Sequence, residues 1–306
     1  MKIITLTLNP AFDVHCLTDK FETGRESFFE VLSKEAGGKG INISRALCSA
    51  GVENSAVVVA GRDNSDEFDD ALTDVDDVYF SCIDGRIREN FILHDKTGKE
   101  TRVSFNGAPA PKRIFDKVEK TLETFDVKIN GDTVVTFTGS LPVGIGTAAA
   151  KRFVKKLKSR GAKVVLDCRS FTLADILEIK PFLIKPNRDE LSGYMGREVR
   201  GTDDIREIAA DIHKKGVENV LVSAGESGAV LANADGVFDI KPPEISAVST
   251  IGAGDSMIAG FLYGYIKGEK SRGLLKYAVA FGTAACMREG TLPPKMGDIE
   301  RIYAAL

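Results

Sequence analysis

The stretch Ser249-Thr250-Ile251-Gly252-Ala253-Gly254-Asp255-Ser256-Met257 runs straight into an apolar helical pattern of Met257, Ile258, Phe261, Leu262 and Tyr265. Gly252, Ala253, Gly254 and Asp255 therefore fall at a helix N-terminus. Glycines there let backbone N–H groups approach an anion, and the helix dipole favours negative charge. The stretch is not a Walker P-loop, because no Gly-Lys-Ser/Thr follows. Nor is it a dinucleotide fingerprint, because Met257 stands at the third glycine and the motif lies late in the chain. A carboxylate beside an anion cradle is electrostatically awkward, which points to a base for a hydroxyl proton. A plain glycine-rich loop with Asp255 as helix N-cap accounts for the same residues.

Two further clusters carry chemistry. Gly37-Gly38-Lys39-Gly40-Ile41-Asn42 precedes a helical run with Ile43, Leu47 and Ala50, so backbone donors again face a helix start, now with a lysine among them. In isolation it also reads as a flexible turn with a solvated lysine. Lys185-Pro186-Asn187-Arg188-Asp189-Glu190-Leu191 follows the apolar run Phe182 to Ile184. Asn187 and Glu190 share a face of a helical turn, and oxygen donors so placed suit Mg²⁺ held through water. Helix capping is the alternative use of the same pair.

Positioning these clusters takes a layered scaffold. Short β-branched runs occur at Ile3 to Leu8, Val57 to Ala60, Thr133 to Phe137, Val164 to Asp167, Phe182 to Lys185 and Val220 to Ser223. Helical patterns lie between several of them, as in Ala148 to Leu157 and Asp204 to Lys215. Strands alternating with helices predict a mainly parallel sheet covered on both faces, with ligands bound where strands end and helices begin. Arg86 to His94 and Thr101 to Phe105 break the rhythm as a hairpin around Asp95 to Lys99. With residues near Val14 to Leu17 they predict a small accessory sheet, either a lid or an edge extension.

The remaining composition excludes whole classes. The 306 residues are 43% hydrophobic and 28% charged, an ordinary globular balance. No segment approaches the roughly 20 apolar residues of a membrane span, and the N-terminal run lacks the features of a secretion signal. A cytoplasmic location follows as the expectation. The five cysteines are scattered without C-x-x-C spacing, and the three histidines are dispersed, which argues against a disulfide framework and a zinc site. A net charge of −3 gives no general attraction to nucleic acid.

Together the motifs resemble the PfkB/ribokinase-type sugar kinases over nearly the whole chain. The similarity begins at Leu8-Asn9-Pro10-Ala11-Phe12-Asp13 and continues through Gly37 to Asn42, Arg86 to Asn90 and Thr138-Gly139-Ser140-Leu141-Pro142-Val143-Gly144. Lys185 to Leu191, Ser223-Ala224-Gly225-Glu226-Ser227-Gly228 and Thr250 to Met257 complete the ordered series. The resemblance implies an α/β fold, a ribokinase-like three-layer α/β/α core with a mainly parallel sheet plus a small β-sheet lid. It implies one kinase domain over 1–306, with lid strands inserted around 12–34 and 86–106.

The resemblance also implies roles. Asp255 takes the acceptor's proton, and the N–H groups of Gly252, Ala253 and Gly254 hold the charge on the transferred phosphoryl. Asn187 and Glu190 organise Mg²⁺ through water, while Lys185, Asn187, Ser223, Gly225, Gly228 and Gly254 lie along ATP. Asp13, Gly38 and Asn42 meet the sugar. Lys39 and Arg88 are expected at the substrate's own phosphate, with Arg25 and Arg102 behind them.

Asn9-Pro10-Ala11 with Gly38-Lys39-Gly40 points to members acting on ketohexose monophosphates. These are the 1-phosphofructokinases, converting fructose 1-phosphate to fructose 1,6-bisphosphate, and as the alternative the tagatose-6-phosphate kinases. A kinase of an unphosphorylated sugar or nucleoside would give Lys39 and Arg88 no partner. A non-catalytic sugar-phosphate-binding regulator is the remoter reading, and intact Asp255, Asn187 and Glu190 speak against it. The partners expected are ATP and a sugar phosphate, with no nucleic acid and no membrane, and a homodimer could form through an exposed lid face. Asp167-Cys168-Arg169-Ser170, Thr138, Ala224 and Phe105-Asn106-Gly107 depart from the family's usual pattern.

Overall fold

The computed structural model describes all 306 residues. The chain opens with β1 (Lys2–Thr7), β2 (Ala11–Thr18) and β3 (Glu30–Gly37), followed by α1 (Lys39–Ser49), β4 (Ser55–Val58) and α2 (Ser65–Asp70). Next come β5 (Asp77–Phe80), β6 (Arg88–Asp95), β7 (Glu100–Val103), α3 (Ile114–Thr124), β8 (Thr133–Thr138) and α4 (Thr147–Ser159). The middle contains β9 (Lys163–Asp167), α5 (Leu173–Ile179), β10 (Leu183–Ile184), α6 (Arg188–Met195), α7 (Gly201–Lys214) and β11 (Asn219–Ser223). It ends with β12 (Ala229–Asn233), β13 (Gly236–Ile240), α8 (Ala253–Ile266), α9 (Ser271–Cys286) and α10 (Met296–Ala305).

Nine strands form the main sheet in the order β13-β12-β11-β10-β9-β8-β1-β4-β5. All neighbours from β5 to β11 are parallel, and β12 and β13 add an antiparallel margin. The expected strands are therefore present, with a two-residue β10 where a longer one was read. The short edge strand β5 and the pair β12–β13 were not anticipated.

Alternation along the strands builds the three layers, because successive side chains point to opposite faces. Ile4, Leu6, Val135, Val164, Ile184 and Val220 join a core with α3, α4, α5, α6 and α7. Ile3, Val134, Val165, Leu183 and Leu221 join another with α1, α8, α9 and α10. A sheet covered on both faces buries its strands throughout, and in Lys2–Thr7 and Thr133–Thr138 every residue but Lys2 is buried, with threonines interleaved among the apolar side chains. No helix is long and apolar enough to cross a membrane.

A second sheet of four strands has the order β3-β2-β6-β7. β2 pairs in parallel with β6, while β2–β3 and β6–β7 are antiparallel. The expected hairpin is present: Asp95 Oδ1 accepts from the N–H groups of Thr97 and Lys99 at 2.9 and 3.0 Å, and Gly98 takes a positive φ of 85°. The strand read to Phe105 stops at Val103. Phe12, Val14, Cys16 and Leu93 pack toward Phe68 and Leu72, so this sheet has its own contact with the main layer.

The two sheets share one continuous chain. Only Leu8, Asn9 and Pro10 separate β1 from β2, and Gly38 alone separates β3 from α1. The small sheet is thus built from two excursions of the chain, β2–β3 between β1 and α1 and β6–β7 between β5 and α3.

Candidate active site

A cleft of about 1230 Å³ opens where the parallel strands end. Thr7, Thr138, Asp167, Lys185 and Ser223 line it from strand ends, and the helix starts of α1, α6 and α8 face it from between. Asp13, Arg88, Asn90 and Arg102 close it from the small sheet.

Gly252 is the N-cap of α8 with φ 76°, a left-handed conformation that favours glycine. Asp255 is therefore the third residue of the helix and not its N-cap, which corrects the capping alternative. Its side chain is buried, and Asn42 Nδ2 donates to Asp255 Oδ2 at 2.9 Å. Burial pushes the Asp255 carboxyl up to about 6. The charge of Lys39 opposes that rise, the Asp167 carboxylate reinforces it, and Asn42 and Lys185 oppose it. A carboxyl at that value is ionised at neutral pH yet basic enough to take a proton. Lys185 approaches the cradle so closely that a Cβ on Gly254 would lie 3.0 Å from its Nζ.

α1 lies tight against β1. A Cβ on Gly40 would fall 2.5 Å from Thr7 Oγ1 and 2.7 Å from the Leu6 carbonyl oxygen, so only glycine lets the helix start here. This seat presents Lys39 to Asp167, with Nζ and Oδ2 2.8 Å apart. Burial works against the Lys39 charge, but Asp167 and Asp255 outweigh it and hold the ammonium above its usual range.

Lys39 and Arg88 do not form one basic pair. Arg88 is anchored on the other side of the cleft by the carbonyl oxygens of Phe105, Asn9 and Pro10 at 3.0, 3.3 and 3.4 Å. Burial lowers its basicity, as does the nearby Arg102, against the raising effect of Asp13. Arg102 meets Asp13 at 3.2 Å, and Asn90 donates to the same Asp13 Oδ1 at 2.8 Å. Arg88 and Arg102 thus stand together on the small sheet, and Lys39 stands with Asp167 and Asp255. Arg25 does not reach the cleft of its own chain: its side chain is 79% exposed and pairs with Glu22.

Asn187 and Glu190 form a reciprocal capping box on α6. Glu190 N–H donates to Asn187 Oδ1 at 2.7 Å, and Asn187 N–H donates to Glu190 Oε2 at 3.0 Å. The capping alternative is therefore realised, and both side chains still line the cleft. No group of three or more His, Cys, Asp or Glu converges as a metal cage. The oxygens of Asn187 and Glu190, with Asp167 and Asp255 on the same cleft, fit a Mg²⁺ held by few protein ligands and mostly by water and phosphate. Ser223, Gly225 and Gly228 line the far side, where Ala224 N–H donates to the Gly228 carbonyl at 2.8 Å in a tight turn.

Nine buried side-chain atoms have no hydrogen-bond partner, and five of them line this cleft: Thr7 Oγ1, Asn42 Oδ1, Asn90 Oδ1, Thr138 Oγ1 and Thr291 Oγ1. Unpaired buried polar atoms are costly, and their concentration here marks a site built for a polar ligand. Sequence reasoning missed Thr291 and the pairing of Asp167 with Lys39. Asp167 ends a parallel strand, which was an available signal. Thr291 lies in a loop after α9 with no local motif, and only tertiary folding brings it beside Gly252.

Residues 11–296 match the pfkB family carbohydrate kinase description. The chain is 32% identical over 289 residues to 1-phosphofructokinase of Escherichia coli strain K12, covering 93% of this chain and 90% of that protein. It is 31% identical over 303 residues to 1-phosphofructokinase of Vibrio cholerae serotype O1, covering 98% and 93%. The solved structure of phosphofructokinase-2 from Escherichia coli in complex with substrates and products superposes with a TM-score of 0.91 at 28% identity, covering 100% of this chain and 99% of that one. A match spanning nearly all the motifs, on the same fold, shows that the chain belongs to the pfkB family of carbohydrate kinases.

Proposed function

We propose that this sugar kinase transfers the terminal phosphoryl of ATP to the 6-hydroxyl of fructose 1-phosphate, giving fructose 1,6-bisphosphate. The observation that carries the reading is the arrangement of charge along one cleft. A buried base, Asp255, adjoins the Gly252–Gly254 cradle, and the Arg88–Arg102 pair stands apart from it on the small sheet. A ketohexose monophosphate has the matching form, with a dianion at one end and a primary hydroxyl at the other.

In this reading Asp255 takes the proton of the acceptor hydroxyl. That oxygen forms the new bond to the terminal phosphorus, and the bridging oxygen leaves with ADP. The N–H groups of Gly252, Ala253 and Gly254 and the Lys39 ammonium stabilise charge on the transferred group. Asn42 holds Asp255 through Nδ2 and offers its unpaired Oδ1 to a sugar hydroxyl. Asp13 and Gly38 complete the sugar side, while Lys185, Ser223, Gly225 and Gly228 follow the nucleotide. Mg²⁺, held through water by Asn187 and Glu190, would neutralise charge between the nucleotide's phosphates.

We further read residues 1–306 as one kinase domain with the small sheet as its lid, which would exclude water from the transfer. Phe28, Val31, Leu32, Val103 and Phe105 of this sheet region are exposed, Phe28 by 82%. A second copy of the chain is the partner we assign to that apolar face. ATP and sugar phosphates are intracellular metabolites, and the five cysteines are free, which fits a cytoplasmic enzyme.

The deciding measurement is kcat/KM for fructose 1-phosphate, tagatose 6-phosphate and fructose 6-phosphate under identical conditions. A higher value for either competitor overturns the substrate assignment and leaves the kinase reading standing. Sedimentation of the unaltered chain against a Leu32→Glu variant tests the lid pairing; equal masses would sink it.

A further inference from the structure

Arg169 departs from the small residues usual after this strand, and its surroundings give it a use. β9 ends at the buried Asp167, Cys168 turns back into the core, and Arg169 points to the cleft beside Lys185, Asn187 and Glu190. Its Nε donates to Glu190 Oε1 at 2.8 Å, and neither Nη group makes a hydrogen bond. The side chain is 76% exposed, against 16% for Glu190. The guanidinium therefore covers the carboxylate from outside with most of its donors open.

Three other cations of the cleft stand at its other ends. Lys39 pairs with Asp167 beside the cradle, and Arg88 and Arg102 stand on the small sheet, at the end proposed for the sugar. On the side of Ser223 and Gly228 the remaining positive groups are Lys185, Lys241 and Arg169. Lys185 is buried against Gly254 and so serves the cradle end. Gly228, Gly254, Glu190 of α6 and Arg169 line one cleft, and in it Arg169 presents open N–H donors to a polyphosphate. The planar guanidinium is suited to gripping phosphate oxygens two at a time. The guanidinium side of the pair is open to solvent, which weakens it, so the grip on Glu190 can be exchanged for a phosphate.

We propose that Arg169 is a nucleotide-binding residue of this chain, its Nη groups holding the non-transferred phosphates of ATP above the Glu190 carboxylate. The inference rests on ATP as the co-substrate. It makes part of the polyphosphate affinity independent of metal, because the guanidinium supplies the charge directly.

The test is equilibrium binding by calorimetry with ATP in excess chelator, ATP with Mg²⁺, and adenosine as the ligand without phosphates. Arg169→Gln should weaken metal-free ATP by about tenfold, the scale of a partly solvated charge-assisted contact, and leave adenosine unchanged. Arg169→Lys should restore part of the loss. In a Glu190→Gln background the Arg169→Gln loss should persist; its disappearance would mean that Arg169 acts only by holding Glu190, and would overturn the proposal. An unchanged ATP affinity in Arg169→Gln, or an equal loss for adenosine, would also overturn it. Failure of the unaltered chain to bind ATP under either condition would remove the co-substrate reading and this inference with it. Binding of ATP without dependence on Arg169 removes this inference alone.

Discussion

Asn42 Nδ2 donates to Asp255 Oδ2 at 2.9 Å, joining the first helix of the core to the first turn of α8 across 213 residues of sequence. The bond favours the ionised carboxylate and so opposes the upward push of burial. With Asp255 at about 6, kcat/KM should fall on the acid side of about pH 6, since the protonated carboxyl cannot accept a proton. Asn42→Ala removes the stabilising bond, so its acid limb should lie at higher pH. An unmoved limb in the pH profile of that variant would contradict the assignment.

Asp255→Asn keeps the shape and loses the base. Turnover should drop on the order of 10²–10⁴-fold, and near-normal turnover would refute the role. Stability should move the other way. The folded state holds Asp255 at about 6 against an ordinary 3.8, so it favours the proton, and stability is lost as pH rises through that window. The variant should gain up to about 3 kcal/mol at pH 8 and nothing below pH ~4. Urea unfolding at the two pH values reads this directly.

Lys39 and Arg88 should separate kinetically. Lys39→Met leaves Asp167 and Asp255 facing each other without their shared cation, so kcat should fall and the acid limb should rise. Arg88→Ala removes charge at the small sheet, and the KM for the sugar phosphate should rise by about tenfold or more with ATP affinity spared. Identical kinetic signatures for the two variants would reject the split.

Chelation should abolish turnover, and Glu190→Gln should raise the Mg²⁺ concentration needed for half-maximal rate. The capping box also weakens in this variant, so circular dichroism must accompany the titration. Activity that survives chelation would remove the metal from the reading.

Arg45 offers a prediction far from the chemistry. It is buried, bonds the carbonyl oxygens of Ala36 and Ala71, and pairs with Asp74 at 2.7 Å. Arg45→Met leaves those carbonyls unpaired and should cost about 2–3 kcal/mol. A urea midpoint unchanged from the parent would show that water replaces the guanidinium at no cost.

The layered architecture was legible because strands such as Ile3 to Leu8 carry their pattern locally. The cradle was legible for the same reason, since Gly252, Gly254 and Asp255 lie within four residues. Burial of Asp255 and the partner of Lys39 were not, because both arise from segments more than 120 residues apart. Asp255 as N-cap was a reasonable local reading, but the left-handed Gly252 takes that position and shifts the carboxylate inward. Arg25 is implied by the resemblance alone, and its side chain is exposed and pairs with Glu22 outside the lining of the cleft.

The site draws on Asp13 near the start of the chain and on Gly252, Asp255 and Thr291 near its end, with α1 packed on α8. During synthesis the small sheet and most of the main sheet emerge first, while the anion cradle does not yet exist. A nascent chain released before about residue 250 would have the small sheet with Arg88 and Arg102 but neither Asp255 nor the Gly252–Gly254 turn, and α1 would lack the helix α8 that packs on it. Translation must therefore run nearly to completion before this protein can act on a sugar, and until then Ile43, Ala46 and Leu47 are surfaces for chaperones or aggregation.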